Sequence, residues 1–271
     1  MYTKKDLLDD LYKMGAPRDR VVIAHSSLRA VGDVEGGGET VLEALIEYFA
    51  SEEYGGVLLI PTHTWRGSED VTHPALDLNC HETCIGVLPN LAAAHPMAKR
   101  SLHPTHSVAA FSGGDGRKAE EYIAGEVNVD TMTGPNGCYG RLIECGGKVF
   151  LIGVDHSADT FLHSVEEILD VPNRTSDYYR QTWIKLKSGD IIERPVRVHF
   201  ARGLDGPSKH YPKFEPAFRA FGAVEDGRFG NAKTQLCDTG KMLEAFRTVR
   251  ERSGGIELCG DAVPLKEEWY K

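Results

Sequence analysis

Three short apolar runs limit what this chain can fold into. Val21-Val22-Ile23-Ala24, Val57-Leu58-Leu59-Ile60 and Val149-Phe150-Leu151-Ile152 are continuous rather than alternating. A strand with one wet face alternates with period two, whereas short unbroken apolar runs bounded by turn residues read as strands buried on both faces. Each run stops at small or polar residues: His25-Ser26-Ser27, Pro61-Thr62-His63-Thr64-Trp65 and Gly153-Val154-Asp155-His156. Open α/β sheets bind ligands beyond the carboxyl ends of such strands, so these segments are the first candidates for a site.

Segments of helical period lie between the runs. Leu7, Leu8 and Leu11 stop at Gly15 and Pro17, and Val41, Leu42, Leu45 and Phe49 follow Gly36-Gly37-Gly38. Helices are also predicted near 86–94, 117–122, 159–169 and 242–251, the last with Thr239 as its cap. Residues 107–111 read as a further strand, and 182–187 with 191–198 as a hairpin around Ser188-Gly189-Asp190. The expected class is α/β: one domain over residues 1–271, layered α/β/α, with a mixed central sheet and a late β-hairpin. A chain of 271 residues is long enough to bury such a core.

The formal net charge of −9 argues against nucleic acid as a partner and suits a small cationic one. No apolar run approaches a membrane span, and Met1-Tyr2-Thr3-Lys4-Lys5-Asp6 has no apolar signal core, so a cytoplasmic protein without a membrane partner is expected. The six cysteines are scattered, which fits a reducing compartment. Cys80-His81-Glu82-Thr83-Cys84 offers half of a zinc site, but a structural zinc needs four ligands. Reduced cysteines and no metal requirement are expected there.

The segment after the third run carries the chemistry. Thr160, His163 and Glu166 stand three residues apart, neighbours on one helix face, so a carboxylate can hold an imidazole. Phe161, Leu162, Val165, Ile168 and Leu169 fall on the opposite, core-facing arc. Histidine, with an ordinary pKa of about 6.5, suits the work of a general base near neutral pH. Glu167 also stands within reach at i+4, and spacing does not choose between the two glutamates. Taken alone, such a polar face is more often simply solvated. The glycine triplet at 36–38 exposes backbone N–H groups suited to a phosphate, but without Rossmann or P-loop spacing.

Four motifs occur in order between about Lys5 and Arg250: His25-Ser26-Ser27-Leu28 with the glycine triplet, Arg100-Ser101-Leu102-His103-Pro104-Thr105-His106-Ser107, Thr160-x-x-His163-x-x-Glu166, and Phe229-Gly230-Asn231-Ala232-Lys233. Together they resemble the aminoglycoside 3-N-acetyltransferase family. The resemblance implies a single α/β domain using acetyl-coenzyme A as co-substrate. It places pantetheine and pyrophosphate along His25, Ser26, Ser27, Leu28, Val31, Gly32, Gly37 and Gly38, and along Ser101, His103 and Ser107. It maps His163 onto the catalytic histidine, Glu166 onto its partner carboxylate and Thr160 onto the residue facing the thioester sulfur, with no acyl-enzyme.

The chain departs from the family pattern six positions before His163. An acidic residue is usual there, and here it is Ser157, flanked by Asp155 and Asp159. Asp155, His156 and Asp159, with Trp65 as a wall, are then the candidates for holding a cationic amine. The expected activity is acetyl-coenzyme-A-dependent N-acetylation of an amino sugar, the 3-amino group of an aminoglycoside antibiotic foremost, by direct attack of the amine on the thioester. The alternatives are acyl transfer to a different, biosynthetic amine, and a metal-dependent hydrolase built from His63, His73, His103, His106 and Cys84. A non-catalytic binding relative is disfavoured by the intact Thr160, His163 and Glu166. A homo-oligomer is compatible with all of these.

Overall fold

The computed structural model describes residues 1–64, 72–200, 202, 206–256 and 264–271. The three apolar runs are the parallel centre of a seven-stranded sheet, as Val21–Ser26, Val57–Pro61 and Lys148–Ile152. Val21–Ser26 lies between the other two, with Val22 opposite Leu58 on one side and Lys148 on the other. Antiparallel strands complete both edges: Val108–Phe111 and Lys99–Arg100 beyond Val57–Pro61, and Ala232–Asp238 with Val224–Phe229 beyond Lys148–Ile152.

The runs are continuous because both sheet faces are covered. Val22, Ala24, Leu58, Ile60, Phe150 and Ile152 pack with Leu7 and Leu11 of the helix Lys4–Met14 and with Val41, Leu45 and Phe49 of Gly37–Phe49. Ile23, Leu59, Val149 and Leu151 point the other way, against Phe161, Leu162 and Val165 of Phe161–Ile168 and Met242, Phe246 and Val249 of Thr239–Ser253. This is the α/β/α layering and mixed sheet expected from the sequence. Each fully buried Leu, Ile, Val or Phe side chain stabilises the layers by about 1.5–3 kcal/mol. Among the described residues no helix is long and apolar enough to cross a membrane.

This strand order positions the site. The chain leaves Val21–Ser26 for Val57–Pro61 on one side and returns to Lys148–Ile152 on the other, so a crevice opens at their shared carboxyl ends. Gly153 ends the third strand at φ +64°, and a Cβ there would lie 2.2 Å from the Cβ of Ala30. The glycine lets the loop after His25-Ser26-Ser27 settle directly against the sheet. Gly153→Ala is expected to cost about 1–3 kcal/mol of stability, from the clash and the positive φ together. Urea unfolding checks this; an unchanged midpoint would show that the approach is loose.

Three local expectations are corrected. The hairpin around Gly189 is real, with Trp183–Lys185 antiparallel to Ile191–Glu193, but its second arm does not run on to 198. Pro195 has no N–H to continue the ladder, and Val196–His199 instead pairs with Thr175–Arg180. Thr239 is not a cap: Asp238 caps the last long helix through Lys241 N, and the buried Thr239 hydroxyl bonds Leu142 O and Gly147 O. The site helix runs Phe161–Ile168 after a separate 3-10 turn at His156–Ala158, with Ile168 and Leu169 only partly buried.

Candidate active site

The crevice is a cavity of about 380 Å³. His25 and Ser26 line it from the first strand, Pro61 and His63 from the second, and Val154, Ser157, Asp159, Thr160 and His163 from beyond the third. Thr160 occupies the N-cap position of Phe161–Ile168 but makes no capping bond with its side chain. His163 sits one turn on, its side chain only 13% exposed.

The imidazole of His163 is not held directly by the carboxylate expected to hold it. Nδ1 stands 3.7 Å from Glu166 Oε2, while the Tyr211 hydroxyl is 2.7 Å from each of them. A phenol has one proton. Its O–H donates to the acceptor-only carboxylate, so its oxygen accepts from Nδ1–H, and Nε2 of the cavity-lining ring keeps the lone pair. Glu166 is 1% exposed and its other oxygen accepts from Arg174 Nε at 2.8 Å. Burial works to raise this carboxyl, but His163, Arg174 and Tyr211 hold it below the usual range. Burial, and then Glu166, push the Tyr211 phenol well up, so it stays neutral. The polar helix face is therefore an interior relay and not a solvated stripe.

Glu167, the alternative at i+4, serves another imidazole. Consecutive helical residues point about 100° apart, and Glu167 Oε1 accepts from the Thr133 hydroxyl at 2.7 Å, with Thr131 on its other oxygen. The Thr133 oxygen in turn lies 3.1 Å from Nε2 of His199, whose ring stacks on His163. His63 and His106 extend this wall, with ring centroids 4.4 Å apart, and His106 lies 5.4 Å from His199. Burial lowers the pKa of all three, and the neighbouring imidazoles add to this: His199 falls to about 4, His63 and His106 well below the usual value. The wall is uncharged near neutral pH. Another cleft, of about 370 Å³, reaches Glu166 and Glu167 from the far side of the helix but does not include His163.

The residues assigned to coenzyme A divide into two groups. His25 and Ser26 line the cavity; Ser27 caps the short helix Leu28–Val31, Leu28 lies against Gly38, and Gly37 and Gly38 open the helix Gly37–Phe49. Val31 is fully buried, its carbonyl accepts from Asn231 N, and Gly32 packs against the Asn231 side chain. The Phe229-Gly230-Asn231-Ala232 motif thus props this loop from below. Ser101, His103 and Ser107 are buried away from the cavity wall and hold their own loop. The Ser101 hydroxyl accepts from Val108 N, His103 Nε2 donates to Thr131 O while Nδ1 accepts from Thr105 N and His106 N, and Ser107 bonds Thr62 and Arg100. Burial lowers His103 to about 4.

Of the residues assigned to the acceptor, Asp159 reaches the cavity wall. Asp155 is exposed and caps the 3-10 turn through Ser157 N, and Trp65 lies outside the described residues. His156 is buried between two carboxylates, with Nδ1 3.3 Å from Asp159 and Nε2 2.8 Å from Glu215. Of the candidate ligands of the hydrolase alternative, His63, His103 and His106 lie near one another, but Cys84 donates to His63 O, His103 Nε2 to Thr131 O, and His73 pairs with Thr72. Among the described residues no group of three or more His, Cys, Asp or Glu side chains is placed to hold a metal ion. Tyr211, Arg174 and His199 had no local signal in the sequence. They come from a later loop, a 3-10 segment and a strand, and only the fold brings them to the helix.

The family model for aminoglycoside 3-N-acetyltransferases matches residues 23–250. The chain belongs to that family. Among its relatives, aminoglycoside N(3)-acetyltransferase VII of Streptomyces paromomycinus is 30% identical, with 89% of each chain covered. Aminoglycoside N(3)-acetyltransferase IX of Micromonospora chalcea is 31% identical over 89% of this chain and 90% of its own. The fold agrees with that of AAC-VIa bound to sisomicin, at a TM-score of 0.75 and 22% identity, covering 93% of this chain and 98% of the other. It also agrees with aminoglycoside acetyltransferase AAC(3)-IIb, at 0.74 and 22%, over 93% and 97%. As a member of the aminoglycoside 3-N-acetyltransferase family, the protein is an N-acetyltransferase.

Proposed function

We propose that the enzyme moves the acetyl group of acetyl-coenzyme A onto an amine of an amino sugar, with His163 Nε2 as general base. The observation that carries this reading is the relay from His163 Nδ1 through Tyr211 to Glu166, which fixes the tautomer and leaves Nε2 basic on a cavity-lining ring. The acceptor amine gives a proton to Nε2, its nitrogen bonds the thioester carbonyl carbon, and the C–S bond breaks with its electron pair leaving on sulfur, where Thr160 is placed to donate a hydrogen bond and the imidazolium proton goes to form the thiol. Glu166, reached through Tyr211, stabilises the imidazolium formed. No side chain is acylated.

His25 supports the fit of a thioester. Among the described residues its Nε2 is buried without a hydrogen-bond partner, and burial lowers its pKa despite the pull of Asp159. A buried ring nitrogen left unpaired in a site wall calls for a polar group from outside the chain, and the thioester carbonyl oxygen is such a group. Ser26 and the N-terminus of Gly37–Phe49 would follow the pantetheine and phosphates outward.

Two acceptor classes remain, and one observation separates them. The relatives' names favour an aminoglycoside 3-amino group. Yet among the described residues the cavity wall has one carboxylate, Asp159, already shared with His156, which favours an amine carrying fewer charges. The test measures release of the coenzyme A thiol with sisomicin, gentamicin and simpler amino sugars, and locates the new amide by NMR. Release with the aminoglycosides and a 3-N-acetyl product supports the first class. Release with the simpler amines alone supports the second, and none with any amine sinks the proposal.

A further inference from the structure

His163 and His199 are stacked, with centroids 3.9 Å apart and planes 21° from parallel. Each is tethered to one of two adjacent glutamates, His199 with a direct bond and His163 without one. His163 Nδ1 reaches Glu166 through the Tyr211 hydroxyl, and His199 Nε2 reaches Glu167 through the Thr133 hydroxyl, with a direct Nε2–Oε1 separation of 3.4 Å. His199 stands at the end of Val196–His199, opposite Thr175 in the small sheet, so it approaches from outside the main sheet. We propose that His199 is a positioning residue, a fixed plate that holds the His163 ring in the orientation from which Nε2 takes the amine proton. This rests on the reading of His163 as the base.

A relay through Nδ1 fixes one edge of the His163 ring but leaves it free to rock about that bond. A flat ring against its face removes this motion, and stacked aromatic pairs favour such contact. A misplacement of about 1 Å can cost about 10²-fold in rate, so a loss of orientation reads out in kcat. The plate also keeps water from one face of the base. Among the described residues the charged and titratable groups around His163 are Glu166 and Glu167 on its own helix, Tyr211 from the 3-10 segment Pro207–Phe214, His199 from the Val196–His199 strand, and His25, His63, His106 and Asp159 around the cavity. Burial and the nearness of His163 hold His199 at about 4, so its removal near neutral pH admits water without removing a charge. Better hydration favours the protonated base.

His199→Ala is therefore expected to lower kcat about 10-fold, to leave KM for acetyl-coenzyme A within about 2-fold because the thioester side is untouched, and to move the acid limb of the kcat/KM pH profile to higher pH. His199→Phe keeps a flat ring, and is expected to recover kcat to within about 3-fold of the parent and restore the limb. Thermal melting of both variants reports any general loss of fold. A parental kcat and pH limb in His199→Ala, beside an inactive His163→Ala, overturns the positioning role alone. A His199→Phe as impaired as His199→Ala also overturns it, since stacking would not be what matters. A fully active His163→Ala overturns the general-base reading and this inference with it.

Discussion

Replacing His163 by alanine is expected to reduce acetyl transfer by about 10²–10⁴-fold, the usual share of a general base. The fall should appear in kcat, because an amine that keeps its proton has no lone pair for the thioester, while binding on the strand-end side is unaffected. Steady-state kinetics at saturating acetyl-coenzyme A measure it, and turnover within a few-fold of the parent would remove His163 from the chemistry. The relay predicts a grading below this. Tyr211→Phe deletes the hydroxyl that joins Nδ1 to Glu166 and leaves the pair 3.7 Å apart, beyond hydrogen-bond range. It is expected to cost about 10-fold, since a general base loses its orientation but not its nitrogen. A direct His–Glu couple would make the same substitution nearly silent.

The sheet was legible in the sequence because burial on two faces leaves a mark that needs no partner to be read. An unbroken run such as Val149-Phe150-Leu151-Ile152 is costly anywhere but the centre of a covered sheet. The ends of those strands were legible as a break in each apolar run, and His25, Ser26, Pro61, His63 and Val154 from them line the cavity. Val224–Phe229 was not legible. It is an edge strand whose Glu225-Asp226-Gly227-Arg228 faces mostly outward, and its pairing is decided by the turn at Gly230-Asn231. Helical spacing brought Thr160, His163 and Glu166 to one face, but it could not supply Tyr211, placed by packing 45 residues beyond Glu166. Nor could it tell that Glu166 and Glu167 would face different imidazoles. Composition and spacing describe what a side chain can do, and long-range packing decides which partner it meets.

His156 shows the same divide, and carries the second large effect. Its sequence position suggested a grip on substrate, yet its side chain is 1% exposed, set edge-on to Phe218 and clamped between Asp159 and Glu215. Burial alone would lower its pKa; the two carboxylates outweigh this and raise it to about 9. A folded value above the unfolded one of about 6.5 means that the charged ring stabilises the fold fully below about pH 6.5 and ceases to do so as pH rises through about 9. The shift corresponds to about 3 kcal/mol. Unfolding in urea at a series of pH values should therefore show stability declining between about pH 7 and 9.5, and this slope should vanish in His156→Ala. At neutral pH that variant also strands the buried Asp159 carboxylate, for about 3–5 kcal/mol in all, or about 10 °C in a melt of this size. Asp159→Asn in the same background should recover part of the loss, because the stranded charge is gone. The clamp ties the 3-10 turn His156–Ala158 to the helix Glu215–Ala220, directly ahead of Thr160 and His163. If His156→Ala melts like the parent and keeps the alkaline slope, the buried imidazolium is not what anchors the start of the site helix.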